Sequence, residues 1–358
     1  MLDLYKNFWQ NIKIDTQQAI TSDSERKSIL DRYLSSPFLS LALGKKLVRI
    51  IKTAKIHDYI VPLELEGQET IYFHFISNLS KPKIQKLMRY YFFVVYLRTQ
   101  LVSNPPMRFN TNLAIYIFPI AESKKFVKNI GIHEMNSAST HIHSDYYDGN
   151  IYLWRKDDIE KVLIHEALHS VHYDLDIINQ TVIPELRALE KDGFNRLNIN
   201  EAYTELCAVY LYNILKLSPT APNRLNKKLL RALLIKDLHH SLQNCAQLLK
   251  SNGIQSIKDL QDLQGYRQEA AAFSYIILRT GLLWSLLTKC KSKTKKHTDR
   301  LECLDDFLKI GWVGRIGVYY QYLLLDIIKN RAFAREIMRH MGHLKNSVVQ
   351  GKKMTLAI

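Results

Sequence analysis

Residues 157–171 read DDIEKVLIHEALHSV, and this stretch determines how the rest of the chain is interpreted. The order His165-Glu166-x-x-His169 places two imidazoles four residues apart, with a carboxylate beside the first. Positions four apart share one face of an α-helix, so both imidazoles can bind one metal ion there. Glu166 is rotated by one residue and would face a water that completes the coordination shell. The pattern therefore predicts a hydrolytic zinc (Zn2+) site, with that water as the nucleophile.

The residues around this pattern predict a helix with one buried face. Asp157 and Asp158 offer an N-terminal cap and a negative charge that suits a helix N-terminus. Apolar side chains recur at i, i+3, i+4 and i+7, as in an amphipathic helix. They are Ile164, Ala167, Leu168 and Val171. The histidines form a neighbouring stripe that would face a cleft, and the alternative is a buried histidine pair bonded to its neighbours.

Two histidines leave a catalytic zinc one protein ligand short, because such sites usually have three protein ligands and a water. A metzincin extension would need Gly and His where the chain has His172 and Leu175, so that extension is excluded. Downstream, Glu201 and Glu205 lie four residues apart in INEAYTEL (199–206) and fall on one helical face. One carboxylate can bind the metal while the other supports it. An exposed acidic pair on a surface helix is the alternative.

This acidic segment resembles the third-ligand helix of thermolysin-like gluzincins, which carries Asn-Glu-Ala and an acidic residue four positions after the Glu. The resemblance implies that Glu201 is the third zinc ligand. Glu205 would then accept a hydrogen bond from a ligand imidazole and fix its tautomer. The chain departs from the gluzincin pattern in a longer link between the two helices and in Glu205, where the family has Asp. These departures leave the roles of the two glutamates open.

A broader resemblance is to the zinc metalloproteases of nucleocytoplasmic large DNA viruses, the giant-virus group. It rests on segments 135–137, 152–158, 200–205 and 269–278 together with the His-Glu-x-x-His helix. The resemblance implies a metallopeptidase of zincin-like α+β fold, in which a small mixed β-sheet packs on that helix and a mostly helical half follows. It also implies that the sheet's edge strand pairs with an extended substrate.

The periodicities along the chain predict three parts. Residues 1–56 are expected to be helical, residues 57–156 to form a β-rich zincin subdomain, and residues 157–358 to form a mostly helical catalytic and C-terminal subdomain. Two β-rich runs, 59–66 and 69–77, predict a hairpin. Further elements of the middle part are then expected. They are a helix over 82–101 and strands over 112–118, 132–141 and 150–154.

Peptide hydrolysis also needs a hydrogen-bond donor for the developing oxyanion, such as a Tyr hydroxyl or a His. Tyr275 is the predicted donor because it lies in the segment shared with the viral family, where gluzincins commonly supply such a residue. Tyr203, beside Glu201, is the second candidate, followed by His239 and His240. Core packing is the alternative for a Tyr in an apolar helix.

The charge balance favours an acidic protein partner or nucleic acid. The chain of 358 residues has 50 Lys and Arg against 34 Asp and Glu, a formal net charge of +16. Residues 44–52 predict a basic amphipathic helix and residues 289–300 a basic loop, and a solvated surface is the alternative for both. No zinc finger, P-loop or known RNA-binding motif accompanies them, so only non-specific binding is expected.

The cysteines and apolar segments indicate a cytoplasmic protein, located in host cytoplasm or virion if viral, with no membrane span. The four cysteines form no C-x-x-C pair, which favours free thiols in a reducing compartment. The N-terminus lacks the pattern of a secretory signal, and Arg279 interrupts the most apolar stretch. His141 and His143 would point to one side of a strand, where they could bind metal or form polar surface.

Three functions fit these features. The first is a zinc metallopeptidase in which zinc-activated water attacks the peptide bond and Glu166 is the general base. The second is a basic structural or virion-associated protein with an inactive or zinc-stabilised protease fold that binds nucleic acid. The third is a zinc hydrolase acting on a non-peptide bond, because the motif determines the activation of water and not the substrate.

Overall fold

The computed structural model of the chain describes most residues between 16 and 344. The described stretches are 16–36, 39–64, 70–101, 112–124, 136–140, 150–171, 173, 183–186, 198–217, 227–256, 258–259, 272–289, 304–309 and 317–344. The predicted turn at 66–68, His141, His143 and most of the basic loop at 289–300 lie outside them.

Six strands form one mixed sheet in this part of the chain. They are β1 (Thr16–Ile20), β2 (Ile56–Leu63), β3 (Ile71–Ser77), β4 (Asn112–Ile120), β5 (Ala138–Thr140) and β6 (Ile151–Arg155). Their order across the sheet is β1-β2-β3-β4-β6-β5. The pairs β3–β4 and β4–β6 are parallel, and the other three pairs are antiparallel. The three-residue strand β5 therefore occupies an edge of the sheet.

The helices fall between the strands and after them. They are α1 (Asp23–Leu34), α2 (Leu41–Thr53), α3 (Lys81–Leu101), α4 (Ile159–Ser170), α5 (Ile199–Leu217), α6 (Lys227–Ser251), α7 (Arg279–Lys289), α8 (Gly317–Ile328) and α9 (Arg331–Gly342). A π-helical turn, Phe273–Leu278, runs directly into α7. The chain is thus an α+β protein whose described elements after β6 are all helical.

Contacts divide the chain into two compact units. The sheet unit consists of Asp3–Ser123 and Asn136–Val171, and the helical unit of Met1–Leu2, Lys124–Met135 and His172–Ile358. The division into three parts at residues 56 and 156 stays a prediction.

One face of the sheet buries aromatic residues against α3. In β3, alternate side chains point to one face, which places Phe73 and Phe75 on the same side. Phe73 packs edge-on against Phe92 at 5.0 Å between ring centroids, and Phe75 against Tyr91 at 5.8 Å. The Tyr91 hydroxyl also lies 3.4 Å from Ser170 Oγ at the end of α4. The helix that carries the His-Glu-x-x-His pattern is therefore held by α3, and it also packs on β5 and β6.

The opposite face of the sheet packs against α1 and α2, and Tyr33 is at the centre of this core. Its ring contacts Tyr116 and Tyr152 edge-on, and its hydroxyl donates to the backbone carbonyls of Tyr116 (2.8 Å) and Leu153 (2.9 Å). Burial raises the Tyr33 pKa well above its usual value, so the hydroxyl stays protonated as a donor.

The helical unit is built around α5, which is apolar on almost every side. Side chains from Ala202 to Leu211 are buried, as expected for a helix inside a core. It packs against α6, α7 and the π-helical turn.

Several sequence predictions of the fold are confirmed, and one is wrong. The α+β class, the mixed sheet, the antiparallel pairing of the runs near 59–66 and 69–77, and the helix over 82–101 are all observed. The expectation of helix throughout residues 1–56 is wrong at Thr16–Ile20, because these residues pair with β2 as an edge strand. Of the strand predicted over 132–141, residues 136–140 are described, and among them Ala138–Thr140 form strand β5.

None of the described helices combines the length and the apolarity needed to cross a membrane.

Candidate metal centre

Helix α4 is buried from Lys161 to Ser170, and its apolar stripe lies where the sequence predicts. Ile164, Ala167, Leu168 and Val171 are fully inaccessible to solvent. Their 3.6-residue spacing matches the face that packs on the sheet and α3. The amphipathic prediction for this helix is therefore confirmed for its core side.

The predicted side-chain cap of α4 is wrong. Asp158 occupies the N-cap position with φ of 55°, in the left-handed region, and its side chain makes no capping hydrogen bond. A capping carboxylate needs an extended backbone to reach the first free N–H groups, and the left-handed conformation turns it away. The helix begins instead with the Asp158 carbonyl accepting from the Val162 N–H at 2.8 Å.

His165 and His169 converge as their spacing predicts. Their Nε2 atoms lie 3.0 Å apart, and their rings meet nearly edge-on with centroids 4.7 Å apart. Both side chains are buried, with 5% and 8% of their surface exposed. This distance fits two nitrogen ligands of one ion, and it also fits a hydrogen bond between neutral imidazoles.

Glu201 and Glu205 lie in the first two turns of α5. Glu201 is half-buried and Glu205 is buried. His165, His169 and Glu201 each offer one ligand atom, and these atoms all lie within 4.8 Å of one another. Among the described residues this is the group of His, Cys, Asp and Glu side chains that could hold a metal ion.

Glu166 is buried beside the histidines and accepts a hydrogen bond that the sequence did not reveal. The Thr140 hydroxyl lies 2.6 Å from Glu166 Oε2 and 3.2 Å from the Glu166 backbone carbonyl. Thr140 is the last residue of the edge strand β5. A hydroxyl bonded to a carboxylate oxygen fixes the side-chain rotamer and leaves the second oxygen, Oε1, for other partners.

Tyr275 lies in the π-helical turn and differs from its neighbours in burial. The residues around it in Phe273–Leu278 are buried, whereas Tyr275 itself is half-exposed. Single π-helical turns are frequent at functional sites because they redirect side chains. Its role as an oxyanion donor stays a prediction.

Tyr203, the second candidate donor, is a core residue. Its ring stacks on Tyr173 with centroids 5.4 Å apart, and its hydroxyl donates to the backbone carbonyl of Phe307 at 2.7 Å. A hydroxyl proton directed at a buried carbonyl is not available to a substrate. The prediction of Tyr203 as a donor is therefore wrong.

The neighbouring histidines of α6 diverge as predicted. His239 is exposed, and its ring centroid lies 6.4 Å from that of His340 in α9, whereas His240 is half-buried. Neither belongs to the metal-binding group. The remaining candidate histidines, at 141, 143 and 172, lie outside the described residues.

Arg279, which interrupts the apolar stretch in the sequence, has a buried partner in α6. Its guanidinium Nη1 lies 3.0 Å from Asp237 Oδ2 and 2.7 Å from Ser241 Oγ, and the Arg279 and Asp237 side chains are 5% and 6% exposed. The pair joins the end of the π-helical turn to α6. Nearby, the Cys245 thiol donates to the Ile276 carbonyl at 3.3 Å, and burial raises its pKa to about 12. Cys245 is thus a free, unreactive thiol.

Comparisons of the chain with models of known protein families, with curated protein sequences and with solved structures find no match. The function is therefore inferred from the residues themselves. Two nitrogen donors and one carboxylate can hold a metal, and a second buried carboxylate, Glu166, can exchange a proton beside them.

Proposed function

We propose that the chain is a zinc-dependent metallopeptidase in which His165, His169 and Glu201 hold the metal and Glu166 is the general base. The observation that carries this proposal is the convergence of the three ligand atoms within 4.8 Å of one another. Glu166, next to the first ligand His165, is buried, and the glutamate at this position of a His-Glu-x-x-His zinc hydrolase is the general base.

The donor set suits zinc better than the other common divalent ions. Two imidazole nitrogens and one carboxylate oxygen are typical ligands of a catalytic zinc, whereas calcium and magnesium prefer oxygen alone. Zinc, when bound, would supply a Lewis acid and lower the pKa of a coordinated water towards neutrality. Glu205, four residues after Glu201, would orient a ligand imidazole.

Residues of the chain would carry out the proton transfer and donate the hydrogen bonds that the reaction needs. Glu166 would accept the proton of the attacking water and later donate it to the leaving amine nitrogen. The hydrogen bond from Thr140 to Oε2 would hold that carboxylate in place and direct Oε1 towards the water. The Tyr275 hydroxyl would donate a hydrogen bond to the developing oxyanion.

The substrate would be a peptide in an extended conformation. Strand β5 is at the edge of the sheet and carries Thr140, the residue that contacts Glu166. An extended peptide added to a sheet edge gains backbone hydrogen bonds, and along β5 it would pass beside the general base. A zincin-like architecture would have such an edge strand beside the catalytic helix. We further propose a relationship to the giant-virus metalloproteases. The location that this relationship implies is the host cytoplasm or the virion.

The test combines a metal measurement with a cleavage assay on one sample. Elemental analysis of the purified chain should give about one zinc per molecule, and a peptide library should be cleaved. Glu166→Gln should keep the zinc and the fold yet lose cleavage by several orders of magnitude. Turnover like that of the wild type in this variant would refute the role of Glu166, and a metal-free, inactive wild type would refute the whole proposal.

The second candidate function is a basic structural or virion-associated protein with an inactive, zinc-stabilised fold. It is favoured by the net charge of +16 and would give stoichiometric zinc without cleavage of any peptide. Hydrolysis of a non-peptide ester that depends on Glu166 would instead indicate the third candidate, a zinc hydrolase of another bond type.

A further inference from the structure

A row of basic side chains lies along the exposed side of α9. Arg331, Arg335 and Arg339 follow one another at intervals of four residues, and His343 continues the row just beyond the helix. All four are exposed. Residues four apart lie on the same side of a helix, so the row extends over roughly 18 Å at about 1.5 Å per residue.

The opposite side of α9 is buried in protein. Phe333, Ala334 and Ile337 are almost inaccessible, and Phe333 packs against Trp284 of α7 at 5.6 Å between ring centroids. The Asn330 side chain caps the first turn by accepting from the Ala332 and Phe333 N–H groups. The orientation of the basic row is therefore fixed by the packing of the helix.

Helix α6 adds a second set of exposed cations to the same surface. It packs on α9, and His239 of α6 lies beside His340 of α9. The exposed basic residues of α6 are Lys227, Lys228, Arg231 and Lys236. We call the exposed cations of α6 and α9 the basic face.

Acidic residues hardly offset this charge. Helix α6 contains five lysines and arginines and one acidic residue, Asp237. Helix α9 contains three arginines and one acidic residue, Glu336. Asp237 is buried with Arg279, and Glu336 accepts a hydrogen bond from Arg339 at 2.6 Å. The bond from Arg339, with the nearby His340 and His239, lowers the Glu336 pKa.

We propose that the basic face binds the phosphate backbone of double-stranded nucleic acid, independently of the metal centre. A strand of duplex DNA presents one phosphate per about 3.4 Å, so the row along α9 could face roughly five phosphates. Guanidinium groups bind phosphate with two parallel hydrogen bonds, which favours the arginine row over a set of flexible lysines.

Other polyanions fit the basic face less well. A membrane-surface helix inserts a continuous apolar side into lipid, but the apolar side of α9 is buried in protein, and α6 exposes only Leu229 and Ile235 as large apolar side chains. Single-stranded nucleic acid is bound by stacking on aromatic rings, and neither helix exposes a Phe, Tyr or Trp. The evenly spaced row matches a repeating polymer better than the irregular charges of an acidic protein.

The basic helix predicted from the sequence, α2, makes a matched control. Lys45, Arg49 and Lys52 are exposed on it at similar spacing. Helix α1, which packs on α2, carries three acidic and three basic residues and so adds no net charge, whereas α6 adds five lysines and arginines and one acidic residue beside α9. Removing three positive charges from α2 changes the net charge of the protein as much as removing three from α9.

The experiment measures binding of the full chain to a fluorescein-labelled 20-bp DNA duplex by anisotropy, from 50 to 200 mM NaCl. A plot of the logarithm of the association constant against log [NaCl] has a negative slope, and the variant Arg331→Gln/Arg335→Gln/Arg339→Gln should reduce its magnitude by about 2.7, since each lost phosphate contact removes about 0.9. If the plots for the wild type and the variant meet at 1 M NaCl, the variant should bind the duplex roughly 500-fold more weakly than the wild type at 0.1 M NaCl. The control Lys45→Gln/Arg49→Gln/Lys52→Gln should retain the slope of the wild type.

Three results would overturn the proposal. These are an unchanged slope in the α9 variant, an equal loss in the α2 control, and tighter binding of poly-L-glutamate or of a single-stranded 20-mer than of the duplex. Circular dichroism checks that the variants are folded. If the triple variant unfolds, Arg335→Gln alone should reduce the magnitude of the slope by about 1. An unchanged slope in that single variant would equally overturn the proposal.

Discussion

Replacing Thr140 with Val should destabilise the protein even without any metal, because it leaves the Glu166 carboxylate buried without its hydroxyl donor. Valine keeps the β-branched shape of the strand residue and removes only the hydroxyl. The bond spans 2.6 Å to Oε2, and Glu166 is 8% exposed, so water can replace it only in part. A hydrogen bond to a charged group contributes about 1.5 to 3 kcal/mol, and we expect Thr140→Val to lower the free energy of unfolding by this amount.

The assay is chemical denaturation in the presence of a chelator, with a double-mutant cycle to Glu166→Gln. In the Glu166→Gln background the same substitution should cost only about 0.5 to 1.5 kcal/mol, because the acceptor is then neutral. Thr140→Ser keeps the hydroxyl and should recover most of the loss. For the proposed zinc peptidase activity, Thr140→Val should lower kcat by about 10 to 100-fold with KM little changed.

Two outcomes would refute this reasoning. Equal destabilisation by Thr140→Val in both backgrounds would mean that the hydroxyl stabilises the strand and not the carboxylate. Loss of stability in Thr140→Ser as large as in Thr140→Val would mean that shape, not hydrogen bonding, is important at this position.

Three further predictions concern the proposed zinc ligands, the proposed oxyanion donor and a partly buried histidine. In a zinc titration, Glu201→Ala should abolish stoichiometric binding, whereas Glu205→Ala should weaken it by about 10 to 100-fold. Tyr275→Phe should lower kcat by about 100-fold in a peptide assay while zinc content and Tm stay nearly unchanged. The hydrogen bond from His74 Nδ1 to Asp58 Oδ2, 2.8 Å long, raises the His74 pKa. The pair should therefore stabilise the fold fully below about pH 6.5, the pKa of an unfolded His, and this stabilisation should be lost as pH rises through the pKa of the folded state. In urea titrations from pH 5 to 8, His74→Gln should flatten this dependence of stability on pH.

Each of these has a contrasting result that would count against it. Stronger zinc loss in Glu205→Ala than in Glu201→Ala would exchange the two roles. An unaltered kcat in Tyr275→Phe would assign that residue to packing, and Tyr203→Phe is its control, since it should lower Tm but leave kcat nearly unchanged. Stability that depends equally on pH with and without His74 would exclude the Asp58 pair as its source.

The core side of α4 could be predicted from the sequence because its signal is local. Ile164, Ala167, Leu168 and Val171 repeat with the helical period, and the two histidines share a face for the same reason. Nothing beyond neighbouring residues is needed to place these side chains relative to one another.

The contacts that the sequence did not reveal are non-local. Thr140 bonds to Glu166 across 26 residues, and Arg279 to Asp237 across 42, so both depend on how distant elements pack. Strand β1 reads TQQAI, mostly exposed and without alternation, and becomes a strand only by pairing with β2. The missing cap of α4 depends on the backbone conformation of Asp158, which residue type alone does not determine.

The two hydrogen bonds of Tyr33 have a consequence for synthesis on the ribosome. The Tyr33 hydroxyl donates to carbonyls 83 and 120 residues further along the chain, so the core around α1 cannot close until Leu153 has been made. At about 5 to 20 residues per second, that delay is roughly 6 to 24 s. Until β4 has been made, apolar residues of α2 such as Leu43, Leu47 and Ile51 lack the strand that they pack on, and until β6 has been made this core still lacks Tyr152 and Trp154. A nascent chain of this protein should therefore depend on chaperones until β6 emerges, and its yield should fall when they are limiting.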